Sequence, residues 1–162
     1  MSDEPRLPPA LIIAAPHSGS GKTTVTAGLI AALAARGLRV APFKVGPDYI
    51  DPTYHTAAAG RTCHNLDAWM LDEAALRKLY ERRTRDADVA VIEGVMGLFD
   101  GVAGDDDTGS AAHIARLLDA AVVLVIDARA MARTAAAIVH GLSSFDPRVN
   151  VAGVIFNRVG SP

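Results

Sequence analysis

The stretch APHSGSGKTT, residues 15–24, sets small residues, a lysine and two hydroxyls at the spacing a polyphosphate requires. Backbone N–H groups can wrap phosphate oxygens only where side chains are small. The lysine then reaches the β- and γ-oxygens, and the hydroxyl that follows faces Mg²⁺. Gly19, Gly21, Lys22 and Thr23 supply these parts. The strict pattern begins with glycine where this chain has Pro16. Proline suits that position if φ stays at about −65° and its missing N–H is not needed.

Phosphoryl transfer also needs carboxylates to hold the cation. Glu93 closes the apolar run VAVIE, and ligands of open α/β sheets bind at such C-terminal strand ends. A metal role is expected for it; the alternative is a cap on the next turn. Asp48, in GPDYIDP, could reach the same crevice, but Pro-Asp is equally a turn pair, and both readings stand. From Glu93, EGVMGLFDG carries three glycines and Asp100, as expected of a backbone lying close against a ligand. GDDDTGS (104–110) reads as a mobile, solvated loop. Cys63 lacks a visible base and reads as a loop thiol. His55, His64 and His113 show no ligand spacing and read as surface or loop residues; His140, on an Ala-rich helix, reads as structural. No G-x-S-x-G elbow is present. A nucleotide site without an evident proton-transfer residue suits an acceptor carboxylate that is already ionised, for which positioning and charge neutralisation suffice. It suits a simple ATPase equally.

The elements that must position these groups alternate. Strands are expected at 10–15, 39–45, 88–94, 121–128 and 150–157, and helices at 23–37, 72–83, 109–120 and 130–142. Gly37 is the expected C-cap of the first helix and Asp72 the N-cap of the second. Pro42 argues that its strand lies at an edge or ends early. Residues 46–66, with Gly46, Pro47, Pro52 and Gly60, read as a long irregular functional loop. Strands apolar on both faces, alternating with helices, imply a three-layer α/β domain with a mainly parallel sheet.

Composition narrows the partners. The 162 residues suit one domain, 50% are apolar and 21% charged, and the net charge of −2 includes no basic block for nucleic acid. ERRTRD (81–86) reads as a solvated helix end. A single cysteine forms no internal disulfide and fits a reducing compartment. The longest apolar run is too short to span a membrane, and the acidic, proline-rich N-terminus is unlike a signal peptide, so the cytoplasm is expected.

APHSGSGKTT, FKVGPDYIDPTYH, NLDAWM, VIEGVMGLFDG and GVIFNRV, in this order, resemble the cobyrinic (or hydrogenobyrinic) acid a,c-diamide synthases. More distantly they resemble dethiobiotin synthetase and cobyric acid synthase. KVGPDYIDPTYH is the piece that separates the a,c-diamide synthases from cobyric acid synthase. The resemblance implies a P-loop NTPase-like fold and an amidation: ATP phosphorylates the c and then the a acetate carboxylate of a corrin ring, and ammonia from glutamine displaces each phosphate. It implies that Ser18, Gly19, Ser20, Gly21, Lys22, Thr23 and Thr24 hold the triphosphate and that Thr23, Asp48 and Glu93 surround Mg²⁺. Lys44 would stabilise charge on the transferred phosphoryl. Tyr49, Ile50, Asp51 and Asp100 would face the corrin side chains, and Asn157 would read the adenine edge. Family members continue into a glutaminase domain, so residues 1–162 are expected to be the ATP and corrinoid domain alone, with that domain as ammonia source. A sheet left uncovered favours association and is compatible with a homodimer. Two rivals remain: a dethiobiotin synthetase-like carboxylating ligase, and an ATP-dependent dimerising switch. Switch proteins carry a lysine early in the loop, where this chain has His17, and lack GPDYIDP. A silent binding domain is disfavoured by Lys22, Thr23 and Glu93.

Overall fold

A computed structural model describes residues 7–160. The first six residues of the N-terminal stretch discussed above lie outside that range. The elements are β1 (Ala10–Ala14), α1 (Lys22–Ala35), β2 (Val40–Val45), α2 (Asp51–Ala59), β3 (His64–Leu66) and α3 (Glu73–Thr84). They continue with β4 (Val89–Glu93), α4 (Ala111–Leu118), β5 (Ala121–Asp127), α5 (Arg133–Phe145) and β6 (Val151–Asn157). The strands form one sheet in the order β3-β2-β4-β1-β5-β6, and every pairing is parallel. The three-layer α/β expectation holds.

The period-two alternation of a strand explains why both sheet faces are apolar. Ile12, Phe43, Ile92 and Leu124 pack on one face with Leu76, Tyr80 and Ile114, from α3 and α4; α5 contributes Ala135. Their neighbours Ile13, Val91 and Val125 pack on the other with Ile30 of α1, against Ala58 and Ala59 of α2. No helix among the described residues is long and apolar enough to cross a membrane.

Three sequence expectations need correction. Residues 46–66 are not an irregular loop: they contain α2 and β3. Pro52 sits in the first turn of α2, where proline's lost N–H costs nothing. Asp48 Oδ1 accepts from the N–H groups of Ile50 (2.8 Å) and Asp51 (3.1 Å), fixing the approach to the helix. Secondly, β2 is not an edge strand. It lies between β3 and β4, but the short β3 begins opposite Phe43, so Pro42 pairs with β4 alone. The missing N–H is tolerated because the edge is local. Thirdly, α5 starts at Arg133 and runs to Phe145. Ala130 has a positive φ of 55°, which delays the start, and the Ser144 hydroxyl donates to the His140 carbonyl (2.7 Å) in the last turn. His140, expected to be structural, is exposed.

Candidate functional site

Between β1 and α1 the chain turns through Gly19 (φ 83°) and Gly21 (φ 94°), left-handed conformations that glycine adopts without a Cβ clash. Gly21 occupies the N-cap of α1 without any side-chain cap, which leaves the first-turn N–H groups facing outward at the positive end of the helix dipole. A Cβ at Gly21 would also collide with the Asn157 side-chain amide. The Ser20 hydroxyl donates to the His17 carbonyl (2.9 Å). From the end of β6, Asn157 Nδ2 donates to the Ser20 carbonyl and Arg158 Nη1 to the Gly19 carbonyl, each at 2.9 Å. The loop is held open from behind, with its N–H side clear.

Thr23, in the first turn of α1, donates its hydroxyl to Glu93 Oε1 at 2.7 Å. Asp51 Oδ2 stands 3.3 Å from the same hydroxyl, long for an O–H···O bond, so Glu93 is the true acceptor. Glu93 is 2% exposed at the end of β4, and its Oε2 lies 2.5 Å from His55 Nε2. Asp48 completes the acidic side, its Oδ2 3.7 Å from Lys44 Nζ. Among the described residues, no three His, Cys, Asp or Glu side chains form a closed metal cage. One hydroxyl and a few carboxylates beside a phosphate loop suit Mg²⁺, which keeps waters and takes phosphate oxygens.

Electrostatics follow from that crowding. Burial pushes the Asp51 carboxyl above its ordinary pKa, and the charges of Glu93 and Asp48 push it further. Burial acts the same way on Asp48, but the N–H bonds from Ile50 and Asp51 and the charge of Lys44 outweigh it and leave a net lowering. Lys22 is lowered chiefly by burial, opposed by Glu93 and reinforced by Lys44. Its Nζ donates to the carbonyls of Met96 (2.7 Å) and His17 (3.2 Å). Lys44, 3% exposed, donates to the Val45 carbonyl at 3.0 Å.

One polar cleft brings together Ser18, Gly19, Gly21, Lys22, Thr23 and Thr24 with Lys44, Asp48, Asp51 and Glu93. Ser20 is buried beneath the loop. Asp51 lies inside the acidic group, whereas Tyr49 and Ile50, beside it in sequence, project outward at 87% and 68% exposure. Asp100 accepts from the Gly97 N–H (2.9 Å) and lines an adjoining apolar pocket with Trp69, Val95 and Met96. Asn157 spends its amide on the Ser20 carbonyl and its Oδ1 on the Arg158 N–H. The glycines of EGVMGLFDG lie close against the chain's own backbone: a Cβ at Gly97 would stand 2.6 Å from the Pro16 carbonyl, and one at Gly101 2.7 Å from that of Asp106.

Three participants escaped the sequence reading. His55, read as a surface or loop residue, is wholly buried on α2 against Glu93. The signal was present: Asp51 and His55 are four apart, one helical face, once α2 is recognised. Trp69 and Arg158 lie inside the quoted stretches NLDAWM and GVIFNRV, but neither was singled out there as a site residue. Cys63, read as a loop thiol, lies in the loop before β3 and is buried there, its pKa raised to about 12 by burial.

The fold and the loop define a P-loop nucleotide-binding domain. Solved structures with this fold include the signal recognition particle receptor FtsY of Elizabethkingia anophelis, with TM-score 0.65, 18% identity, and coverage of 94% of this chain and 50% of that one. The kinase domain of the Escherichia coli tyrosine kinase ETK has TM-score 0.62 and 16% identity, over 96% of this chain and 71% of that one. The chain belongs to the CobQ/CobB/MinD/ParA nucleotide binding domain family, which matches residues 11–162. Among curated relatives, the hydrogenobyrinate a,c-diamide synthase of Streptomyces coelicolor is 55% identical over 99% of this chain and 33% of its own length. The cobyrinate a,c-diamide synthase of Gloeobacter violaceus is 57% identical over 94% of this chain and 34% of its own. The resemblance read from the motifs is thereby borne out, and the chain spans about a third of the length of these relatives.

Proposed function

We propose that the chain is the ATP-dependent, carboxylate-activating domain of an a,c-diamide synthase, acting in the cytoplasm on cobyrinic or hydrogenobyrinic acid. The observation that carries this reading is the convergence of Lys22, Lys44, Thr23 and Glu93 on one cleft. Beside it lie exposed Tyr49, Ile50, Trp69 and Met70, an apolar rim suited to a large flat ring. Relatives carrying the synthase name at more than half identity support it.

The N–H groups of residues 18–24 bind the triphosphate, with Lys22 released from the Met96 and His17 carbonyls to reach its oxygens. Thr23, Asp48 and Glu93, with Asp51 adjoining, would hold Mg²⁺, which supplies Lewis-acid neutralisation of the phosphate charge. A ring acetate oxygen attacks the γ-phosphorus as the bond to ADP breaks, giving an acyl phosphate. Lys44, already desolvated, stabilises charge on the transferring group and needs no proton transfer. Ammonia then attacks the acyl carbon, phosphate leaves, and the nitrogen loses a proton to give the amide. In this reading ammonia derives from glutamine through a glutaminase domain. Tyr49, Ile50, Asp51 and Asp100 orient the ring. Asn157 reaches adenine only by exchanging its bond to the Ser20 carbonyl.

The test is MgATP turnover with ammonium, with and without hydrogenobyrinic acid, products being followed by mass spectrometry. Acid-to-amide mass changes that require both ATP and corrinoid support the reading. ATP hydrolysis indifferent to the corrinoid but coupled to dimerisation would replace it with the switch.

A further inference from the structure

His55 has no exposed surface, and its ring nitrogens are used unequally. Nε2 stands 2.5 Å from Glu93 Oε2, while Nδ1 is buried without a hydrogen-bond partner. A carboxylate only accepts, so the ring proton sits on Nε2 and is donated to Glu93. The orphaned Nδ1 is a cost that a purely space-filling residue would avoid, because an aliphatic side chain fills such a volume without burying an unpaired polar atom. What imidazole adds is one directed N–H. Its effect is to divide the Glu93 carboxylate: Oε2 is committed to His55, and Oε1 is turned to Thr23. Asp51, one turn before His55 on α2, faces the Thr23 hydroxyl that Oε1 accepts from.

We propose that His55 is a positioning residue whose Nε2–H fixes the rotation of the Glu93 carboxylate and so presents Oε1, beside Thr23, to the cation that accompanies the nucleotide. The inference rests on Glu93 facing that cation, as the proposed function holds. Partners of this kind orient a ligating side chain without touching the metal, and their loss typically weakens metal binding by about 10–100-fold.

The experiment measures Mn²⁺ affinity of the purified protein in the presence of ADP, by electron paramagnetic resonance, alongside ADP affinity in excess chelator. His55→Gln places an amide nitrogen where Nε2 stands, and His55→Asn stops one bond short. We expect His55→Asn to lose about 10–100-fold in Mn²⁺ affinity, with metal-free ADP affinity unchanged, and His55→Gln to recover most of the loss. Equal Mn²⁺ affinities in both variants, or parallel losses of Mn²⁺ and metal-free ADP binding, would reduce His55 to a packing residue. Glu93→Ala is the control for the underlying reading: if it leaves Mn²⁺ affinity intact, the cation site itself is wrong. If it weakens binding while His55→Asn does not, the inference about His55 fails alone. Nitrogen-15 NMR of the unaltered protein gives a second readout should His55→Asn not fold. An Nε2–H tautomer whose resonance moves on adding Mg²⁺ and ADP supports the proposal, and an Nδ1–H tautomer overturns it.

Discussion

At the scale of single residues, Lys22 joins a buried position to a charge. Its pKa lies below the ordinary lysine value chiefly because of burial. Phosphate binding needs the ammonium form, so nucleotide affinity is expected to fall as pH rises through that lowered pKa, earlier than for an exposed lysine. Lys22→Arg, weaker overall, should lack this alkaline limb because guanidinium stays charged. In the free protein the sign reverses. Below the folded pKa the buried charge disfavours folding, and that penalty disappears as pH climbs from the folded value to the unfolded one. Melting and calorimetric binding at matched pH steps separate the two trends. Lys44, equally buried but set across the cleft on β2, makes a different prediction. Lys44→Ala should lower turnover by about 10²–10³-fold, as removal of a charge-stabilising donor does, while ATP affinity changes little. Equal losses in kcat and in affinity would make Lys44 a binding residue only.

At the scale of elements, Asp48 serves α2 and the cleft with different oxygens. Oδ1 accepts the N–H groups of Ile50 and Asp51, and Oδ2 faces Lys44. Asp48→Asn keeps an acceptor for the helix approach and removes the charge, so melting should be nearly unchanged while Mg²⁺-dependent turnover falls. Asp48→Ala should lose both, with about 1 kcal/mol of stability, the usual cost of a lost cap. Identical melting of the two variants would mean that the Oδ1 bonds contribute nothing. The sequence showed the turn and the ligand readings of Asp48 as alternatives; the structure shows room for both. The strands β1, β4 and β5 were legible because burial on both sheet faces leaves continuous apolar runs, and α3 was legible from its cap, Asp72, which accepts from the Ala75 N–H. α2 and β3 were not. α2 opens on Asp51 and Pro52 and turns polar His55 inward beside Ala58 and Ala59, and β3 is only three residues long, so neither carries a hydrophobic pattern long enough to read. The phosphate loop and Glu93 were readable from spacing, whereas His55 shares a face with Asp51 only once α2 is recognised, and Arg158 enters through a contact from the end of β6 to the phosphate loop.

At the scale of the molecule, the site joins the ends of β1, β2, β4 and β6, so occupancy should stabilise the fold as a whole. ADP at about 100 times its Kd adds roughly 2.7 kcal/mol. At about 2–4 °C per kcal/mol for a domain of this size, melting should rise by roughly 5–10 °C. A shift of that size should be absent from Gly21→Ala, in which the Asn157 amide and the new methyl compete for one space. The two bonds from β6 to the phosphate loop also set an order of events during synthesis. Gly19 and Ser20 leave the ribosome early, but the Asn157 amide that tethers the Ser20 carbonyl follows 137 residues later. At about 5–20 residues per second that gap is roughly 7–27 seconds. Through that interval the nascent loop has its sequence but not its brace. A motif translated early is therefore braced only once β6 has been made, and until then the carbonyls of Gly19 and Ser20 lack their tethers.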